Sequence, residues 1–280
     1  MNYRHEFHAG NFADVMKHTL LVILLQALNR KSSAWCYIDT HAGAGCYDLQ
    51  NKFAAKTREA ASGIGRLWPQ RNSAPLAIQA LCDIVAGFNP DLAPDTSPRL
   101  YPGSPCIAAA LARTQDRLVL AELHPQEHRL LRERFHGDPR VAVHARDGYE
   151  MFKALVPPPE RRGLVLMDPP FEKPDEFDLL VEALSTAHAR WSTGVYALWY
   201  PMKDASVVRR FYRRLIGSGL PHLLTVEFHV APTDTPLFTA CGMLIVNPPW
   251  KTDAAMKEAL RFLTVVLAPV GGGSTVCWLS

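Results

Sequence analysis

Four consecutive residues, Asp168-Pro169-Pro170-Phe171, bring together an anion, two rigid peptide units and an aromatic ring. Such a set suits chemistry at an exocyclic amine on a planar base. The N6 of adenine is a poor nucleophile because its lone pair is delocalised into the ring. A carboxylate and a backbone carbonyl that each accept one N6 hydrogen draw the nitrogen toward tetrahedral geometry and localise the lone pair for attack. Asp168 would be the first acceptor and the Pro169 carbonyl the second. Paired prolines fix φ and hold that carbonyl in place. Phe171 offers a face on which a base can stack, worth about 1–3 kcal/mol. The competing interpretation is a rigid strand-end turn whose ring belongs to the core. Asn247-Pro248-Pro249-Trp250 has a similar pattern. It is expected to end a late strand and lead into a helix from Thr252.

Three further features belong to the same chemistry. Asp39-Thr40-His41-Ala42-Gly43-Ala44-Gly45 is a glycine-rich turn, through which backbone can approach a ligand closely. Cys46-Tyr47-Asp48-Leu49 supplies no third glycine, which argues against a nicotinamide dinucleotide site. An acid at a strand end followed by small residues is common in S-adenosylmethionine sites. Glu122 also ends an apolar run, where a carboxylate can accept both hydroxyls of a ribose or simply be a solvated acid. Asp147 could accept from an adenine amino group or cap the helix that follows.

The elements that must position these residues follow from the apolar pattern. Strands are expected at 35–39, 118–122, 141–144, 164–168, 195–199, 223–230 and 243–247. The first, second and fourth are continuous apolar runs ending in a carboxylate, as suits parallel strands covered on both faces. Helices are expected at 11–29, 105–113, 125–135 and 175–191. Apolar positions 12, 15, 16, 20, 23 and 24 give the first of these one apolar face. This alternation predicts an α/β fold, a seven-stranded doubly wound sheet. About 80 residues separate the first two strands, where a strand–loop–helix–strand step needs about 30. The excess holds helical patterns at 56–67 and 75–88 and a proline-rich exit. The expected organisation is a main domain of residues 1–45 and 101–280, with an N-terminal tail and helix over 1–30, and a helical insertion over 46–100.

Composition narrows the class further. The chain has 280 residues, 48% hydrophobic and 20% charged, which excludes disorder, collagen and coiled coil. A formal charge of +3 neither demands nor forbids a polyanionic partner. No apolar run reaches the roughly 18 residues of a membrane span, and the first residues lack the apolar core of a signal peptide. Six cysteines form no C-x-x-C pair and mostly sit in apolar runs, suggesting reduced core thiols in a cytoplasmic protein. No zinc-type histidine spacing comes with a third ligand, so no metal is expected.

Several segments together resemble one family. They are Tyr3-Arg4-His5, Phe7-His8-Ala9-Gly10-Asn11, Ala13-Asp14-Val15 and Lys17-His18 at the start, then the glycine-rich turn. Tyr101-Pro102-Gly103-Ser104-Pro105, Glu122-Leu123-His124-Pro125, Asp147-Gly148 and Ala197-Leu198-Trp199-Tyr200-Pro201 follow. They are similar to the ribosomal RNA large subunit methyltransferase J family, and the match runs nearly end to end. The resemblance implies a class I, Rossmann-like S-adenosylmethionine-dependent methyltransferase. Its substrate would be the N6 of adenine 2030 in 23S rRNA, and it would act as a cytoplasmic monomer without metal or membrane. It also implies roles. Lys17, His18, His41, Gly43, Ser104, Glu122, Asp147, Gly148 and Asp168 would form the cofactor site, Asp168 would be catalytic, and Tyr3, His5 and Phe171 would meet the RNA. Phe171 departs from the tyrosine usual in relatives, which keeps stacking and loses any hydroxyl contact.

Read as residues alone, Ser104 before Pro105 could present helix N–H groups to a carboxylate or be a plain cap. His18 and His41 could be structural, and Lys17 could be a surface residue lying along an apolar helix. Arg209, Arg210, Arg213 and Arg214, with Phe211 and Tyr212 between, share one helical side and form either an RNA face or a solvated one. Arg161 and Arg162 lie just before the fourth strand. The alternatives are a DNA adenine or protein glutamine methyltransferase, which share the acceptor–Pro–Pro–aromatic logic, a non-enzymatic RNA-binding protein, and more remotely a nicotinamide oxidoreductase.

Overall fold

A computed structural model describes residues 4–93, 96–231 and 238–279. In chain order the helices and strands are α1 (Phe12–Asn29), β1 (Cys36–Asp39), β2 (Cys46–Asp48), α2 (Ala54–Thr57), α3 (Glu59–Ser62), α4 (Ile64–Leu67), α5 (Leu76–Gly87), β3 (Leu100–Pro102), α6 (Ser104–Leu111), β4 (Arg117–Ala121) and α7 (Pro125–Arg134). They continue with β5 (Val141–His144), α8 (Gly148–Leu155), β6 (Gly163–Met167), α9 (Glu176–Arg190), β7 (Val195–Pro201), α10 (Ala205–Gly217), β8 (Leu223–His229), β9 (Ala240–Val246), α11 (Thr252–Leu267) and β10 (Gly273–Leu279). Short 3-10 turns cover His5–Phe7 and Trp68–Ser73.

The main sheet has the order β10-β8-β9-β7-β6-β1-β4-β5. Strands β5, β4, β1, β6 and β7 run parallel, and β9, β8 and β10 add antiparallel pairs. All seven expected strands are present. The eighth, β10, pairs with β8 at the sheet edge; its seven residues follow a glycine run and lack the apolar continuity of the inner strands. Strands β2 and β3 form a separate antiparallel pair that brings the two ends of the stretch 49–99 together.

Alternation along the parallel strands divides the core in two. Tyr37, Leu118, Leu120, Leu164 and Leu166 point toward the layer of α1, α5, α6 and α11. Ile38, Val119, Ala121, Val165 and Met167 point toward the layer of α8, α9 and α10. Both faces of the sheet are thus covered, and its central strands need apolar residues at every position.

Helix α1 is buried on more sides than a single-stripe pattern anticipates. Among the described residues it is the one helix long and apolar enough to cross a membrane, and 89% of that stretch is buried inside the fold. It lies against α5, α6 and α11 and touches β6 and β9, so helices surround it where one apolar face was expected. The single helix anticipated over 56–67 is instead the three short turns α2, α3 and α4. Arg58 breaks the first junction with φ of +53°. At the second, the Ile64 N–H donates to the Gly10 carbonyl at 2.8 Å, and a Cβ on Gly63 would lie 2.1 Å from that oxygen. Ile64, Leu67, Ile78, Leu81 and Val85 of this segment join the same core cluster as α1. Of the six cysteines, four are buried, Cys46 is half-buried and Cys277 on β10 is exposed, so not all are core thiols.

The central strands pack too closely for an extra carbon at one point. Gly163 pairs with Cys36, and an added Cβ would lie 2.0 Å from the Cys36 carbonyl oxygen. Gly163→Ala is expected to cost about 1–3 kcal/mol, as overpacking does. Urea unfolding at neutral pH, with the slope unchanged and the midpoint lowered, measures it.

Candidate active site

Parallel strands deliver their last residues to one edge of the sheet. Here β1, β4, β5 and β6 end in Asp39, Ala121, His144 and Met167, and the chain reverses direction of winding between β1 and β6. Ligands of open α/β sheets sit outside the carboxyl ends at such a switch point. A cleft of about 810 Å³ opens there. Its walls include His5, Lys17, His18, His41, Gly43, Ser104, Glu122, Asp147, Gly148, Asp168, Pro169 and Phe171. All the expected site residues therefore meet in one cleft except Tyr3, which lies outside the described residues.

The glycine turn is tied to β4 by a carboxylate. Glu122 accepts the Gly43 N–H at 2.8 Å on one oxygen and the His124 N–H at 2.7 Å on the other. At 7% exposure it is not a solvated strand-end acid. Gly43 has φ of +61°, and a Cβ there would lie 2.2 Å from the Tyr47 hydroxyl, so the turn needs glycine for both reasons. Gly148 is pressed against β1's exit, with an added Cβ 2.1 Å from the Thr40 carbonyl oxygen.

Asp39 sits beneath this turn and is fully buried. It accepts from the Tyr37 hydroxyl and the Ser104 hydroxyl, both at 2.7 Å, and from the His41 N–H at 3.2 Å. Burial pushes its carboxyl up to about 6, against the pull of those three hydrogen bonds. Ser104 is therefore not a side-chain cap. It is the first residue of α6, its hydroxyl is spent on Asp39, and the helix start has no side-chain cap. Asp147 does cap its helix, accepting from Tyr149 and Glu150 N–H groups through one oxygen.

The two histidines differ from surface residues. His18 is 1% exposed and bonds the Tyr101 hydroxyl through Nδ1 at 2.9 Å. Burial lowers its imidazole to about 3, although Asp14 opposes the shift. His41 bonds the Thr40 hydroxyl at 2.8 Å, and burial lowers it to about 4.

Lys17 is not a surface residue either. Its ammonium is 2.5 Å from Asp168 Oδ2 and 2.9 Å from Asp14 Oδ1. Burial works against its charge, yet Asp14 and Asp168 hold it well above its ordinary range. Asp14 is likewise held well below the carboxylate range, with burial overcome by His5 and Lys17. Its second oxygen takes His5 Nε2 and the Gly10 N–H, each at 2.9 Å. The sequence reading assigned no role to Asp14. Its signal is an Asp and a Lys three apart on a largely apolar helix.

Asp168 stands just past β6, one residue beyond the Met167–Leu198 pair. Its Oδ2 is occupied by Lys17, and its Oδ1 takes no hydrogen bond among the described residues. Phe171 is partly buried, with φ of +52°, a left-handed conformation that costs a non-glycine residue about 1–2 kcal/mol. Its ring meets Phe177 at 5.0 Å and the edge of Trp199 at 5.9 Å. The ring thus belongs to the core on one side and to the cleft on the other. The second acceptor-Pro-Pro-aromatic run is elsewhere. Strand β9 is antiparallel to β7, so Asn247 emerges at the opposite sheet edge, and its amide donates to the Ser192 and Gly194 carbonyls.

Among the described residues no group of three or more His, Cys, Asp and Glu could hold a metal ion. The donor set does suit S-adenosylmethionine. Glu122 offers two acceptor oxygens at a lip where a ribose can lie, Asp147 has a second oxygen for an exocyclic amine, and the uncapped start of α6 suits a carboxylate.

Neutral His18 also couples stability to pH. Folded, it resists protonation down to about 3; unfolded, it titrates near 6.5. The unfolded chain therefore takes up the extra proton between those values, and stability falls as pH drops through that window. Denaturant titrations at pH 7 and pH 5 should show a loss smaller by about 2 kcal/mol in His18→Gln than in the wild type.

Comparison with known proteins agrees with this geometry. A protein-family model described as "RsmJ: Ribosomal RNA large subunit methyltransferase D, RlmJ" matches residues 32–280. The chain is 43% identical over 282 residues to ribosomal RNA large subunit methyltransferase J of Haemophilus influenzae, covering 100% of this chain and 99% of that protein. It is 41% identical over 281 residues to the protein of the same name from Escherichia coli, with 100% and 99% covered. A crystal structure of a Legionella pneumophila protein is similar, with TM-score 0.89 and 34% identity over 97% of this chain and 98% of that one. With its fold, its cleft and its sequence aligned from end to end, the chain belongs to the ribosomal RNA large subunit methyltransferase J family.

Proposed function

We propose that this chain methylates the N6 of an adenine in 23S rRNA, with S-adenosylmethionine as methyl donor. The observation that carries the reading is Asp168 at the floor of the cleft. One of its oxygens is fixed by a buried lysine and the other is left to accept, and the rigid Pro169-Pro170 corner and Phe171 follow directly.

When bound, S-adenosylmethionine supplies an electrophilic methyl group on a sulfonium. Glu122 would hold its ribose hydroxyls, Asp147 and Gly148 its adenine, and Ser104 with the start of α6 its carboxylate. Gly43, His18 and His41 would shape the pocket around it. Asp168 accepts one N6 hydrogen of the target base and the Pro169 carbonyl accepts the other, so the lone pair faces the donor. The amine sheds its proton only after it has gained the methyl, so Asp168 need not be a strong base. It must be an oriented anion, and Lys17 provides that orientation. Phe171 stacks the base, while Tyr3 and His5 meet the RNA. The reading extends to adenine 2030 as target, to a cytoplasmic monomer, and to residues 46–100 as an insertion in one methyltransferase domain.

Labelled S-adenosylmethionine, offered with 23S rRNA from a strain lacking this gene, with duplex DNA and with a release-factor peptide, should label the rRNA alone. Label in the DNA or the peptide would overturn the reading. Asp168→Ala should lower the rate on rRNA by about 10²–10³-fold, the usual loss when one preorganised charge-stabilising group is removed. Circular dichroism checks that this variant remains folded.

A further inference from the structure

We propose that the exposed arginine face of α10, with Lys173 and Lys203 at the cleft rim, grips the phosphates of the RNA flanking the target adenine. This rests on rRNA being the substrate and adds where its backbone is held.

Strands β6 and β7 run parallel, so Asp168 and Pro201 emerge at the same sheet edge. Lys173, Pro201 and Lys203 all line the cleft. Helix α10 begins at Ala205, four residues beyond Pro201, and so continues the rim. Its inner face is fixed by Val208, Phe211 and Leu215, which are buried in the core. That packing turns Arg209, Arg210, Arg213 and Arg214 outward, and all four are exposed. No acidic residue lies within the helix.

Nearby acids engage part of this face. Asp204 caps the helix through the Ser206 N–H and faces Arg209. Asp178 of α9 pairs with Arg214. Arg209, Arg210 and Arg213 make no ion pair among the described residues. From Arg209 to Arg213 the helix rises about 6 Å, and each guanidinium presents a fork that matches a phosphate.

The rest of the cleft argues for the same side. Glu59, Glu122 and Glu127 line the wall toward the N-terminal segment and β4. Two of these, Glu122 and Glu127, are buried. On the α10 side Lys173 and Lys203 stand beside Glu172 and Glu176, of which Glu176 is buried and accepts the Tyr149 hydroxyl, and the exposed arginines beyond them make cations predominate. The target adenine must leave its stack to reach Asp168, which forces the flanking phosphates onto a rim. The rim that attracts them is the one leading to α10.

The test is an Arg209→Ser, Arg210→Ser, Arg213→Ser triple variant, compared with the corresponding three arginine-to-lysine changes. Binding of unmodified 23S rRNA is measured at roughly 50 to 200 mM salt, with kinetics and S-adenosylmethionine affinity in parallel. In the serine variant the slope of log K against log salt should shrink by about 2 to 3, for three phosphates released. KM for RNA should rise about 10-fold or more, with kcat and cofactor Kd unchanged, and the lysine variant should keep the slope. A serine variant whose slope and KM equal those of the wild type overturns the proposal. If the wild type binds this RNA but does not methylate it, the substrate reading fails instead, and the slope comparison still decides the surface.

Discussion

Lys17 holds a positive charge where water scarcely reaches it, at 5% exposure, with Asp14 on one side and Asp168 on the other. Taking an ammonium out of water costs several kcal/mol, and only close opposite charges with good hydrogen-bond geometry offset it. Neither carboxylate can leave without exposing that cost. The pair of contacts therefore fixes α1 against the end of β6, two parts of the chain 151 residues apart. It also sets which oxygen of Asp168 is engaged and which remains to accept. A reaction that depends on hydrogen-bond direction at an amine needs that kind of fixed anion more than it needs a strong base.

Other buried groups extend the same order through the cleft. Asp14 passes the constraint to His5 and to the Gly10 backbone, so the N-terminal segment is joined to the floor of the site. Asp39 does the corresponding work under the glycine turn, joining Tyr37, His41 and Ser104 of α6. Glu122 ties the top of that turn to β4. Carboxylates at the ends of β1, β4 and β6 thus have different tasks. Asp39 is a buried brace, Glu122 pins the turn and the start of the next loop, and Asp168 is held by Lys17 at the cleft. Burial and partner set distinguish them, since the residue type is nearly the same.

Much of this was legible in the chain. Apolar runs ending in acids located the parallel strands, because strands covered on both faces must be apolar throughout. The Asp-Pro-Pro-Phe corner was legible because its four residues are contiguous and directly follow an apolar strand, and the structure puts them at the cleft. The glycine turn was legible because Gly43 requires a conformation that other residues avoid. Tertiary pairings were harder to read. Lys17 on an apolar helix is equally consistent with a side chain lying along a surface, and only its meeting with Asp168 decides. Ser104 looked equally like a helix cap until Asp39 was placed beneath it. Strand β10 was missed because an edge strand, covered less fully, carries a mixed pattern. The long helix expected over 56–67 breaks because Gly63 must approach the Gly10 backbone, which local periodicity does not encode.

The most direct measurement is a crystal structure of the protein with S-adenosylhomocysteine and adenosine bound together. Asp168 Oδ1 and the Pro169 carbonyl oxygen should each lie about 3 Å from N6, with Lys17 still on Oδ2 and the Phe171 ring against the base. An adenosine whose N6 meets neither oxygen, in a site that also holds the spent cofactor, would contradict the role given to Asp168.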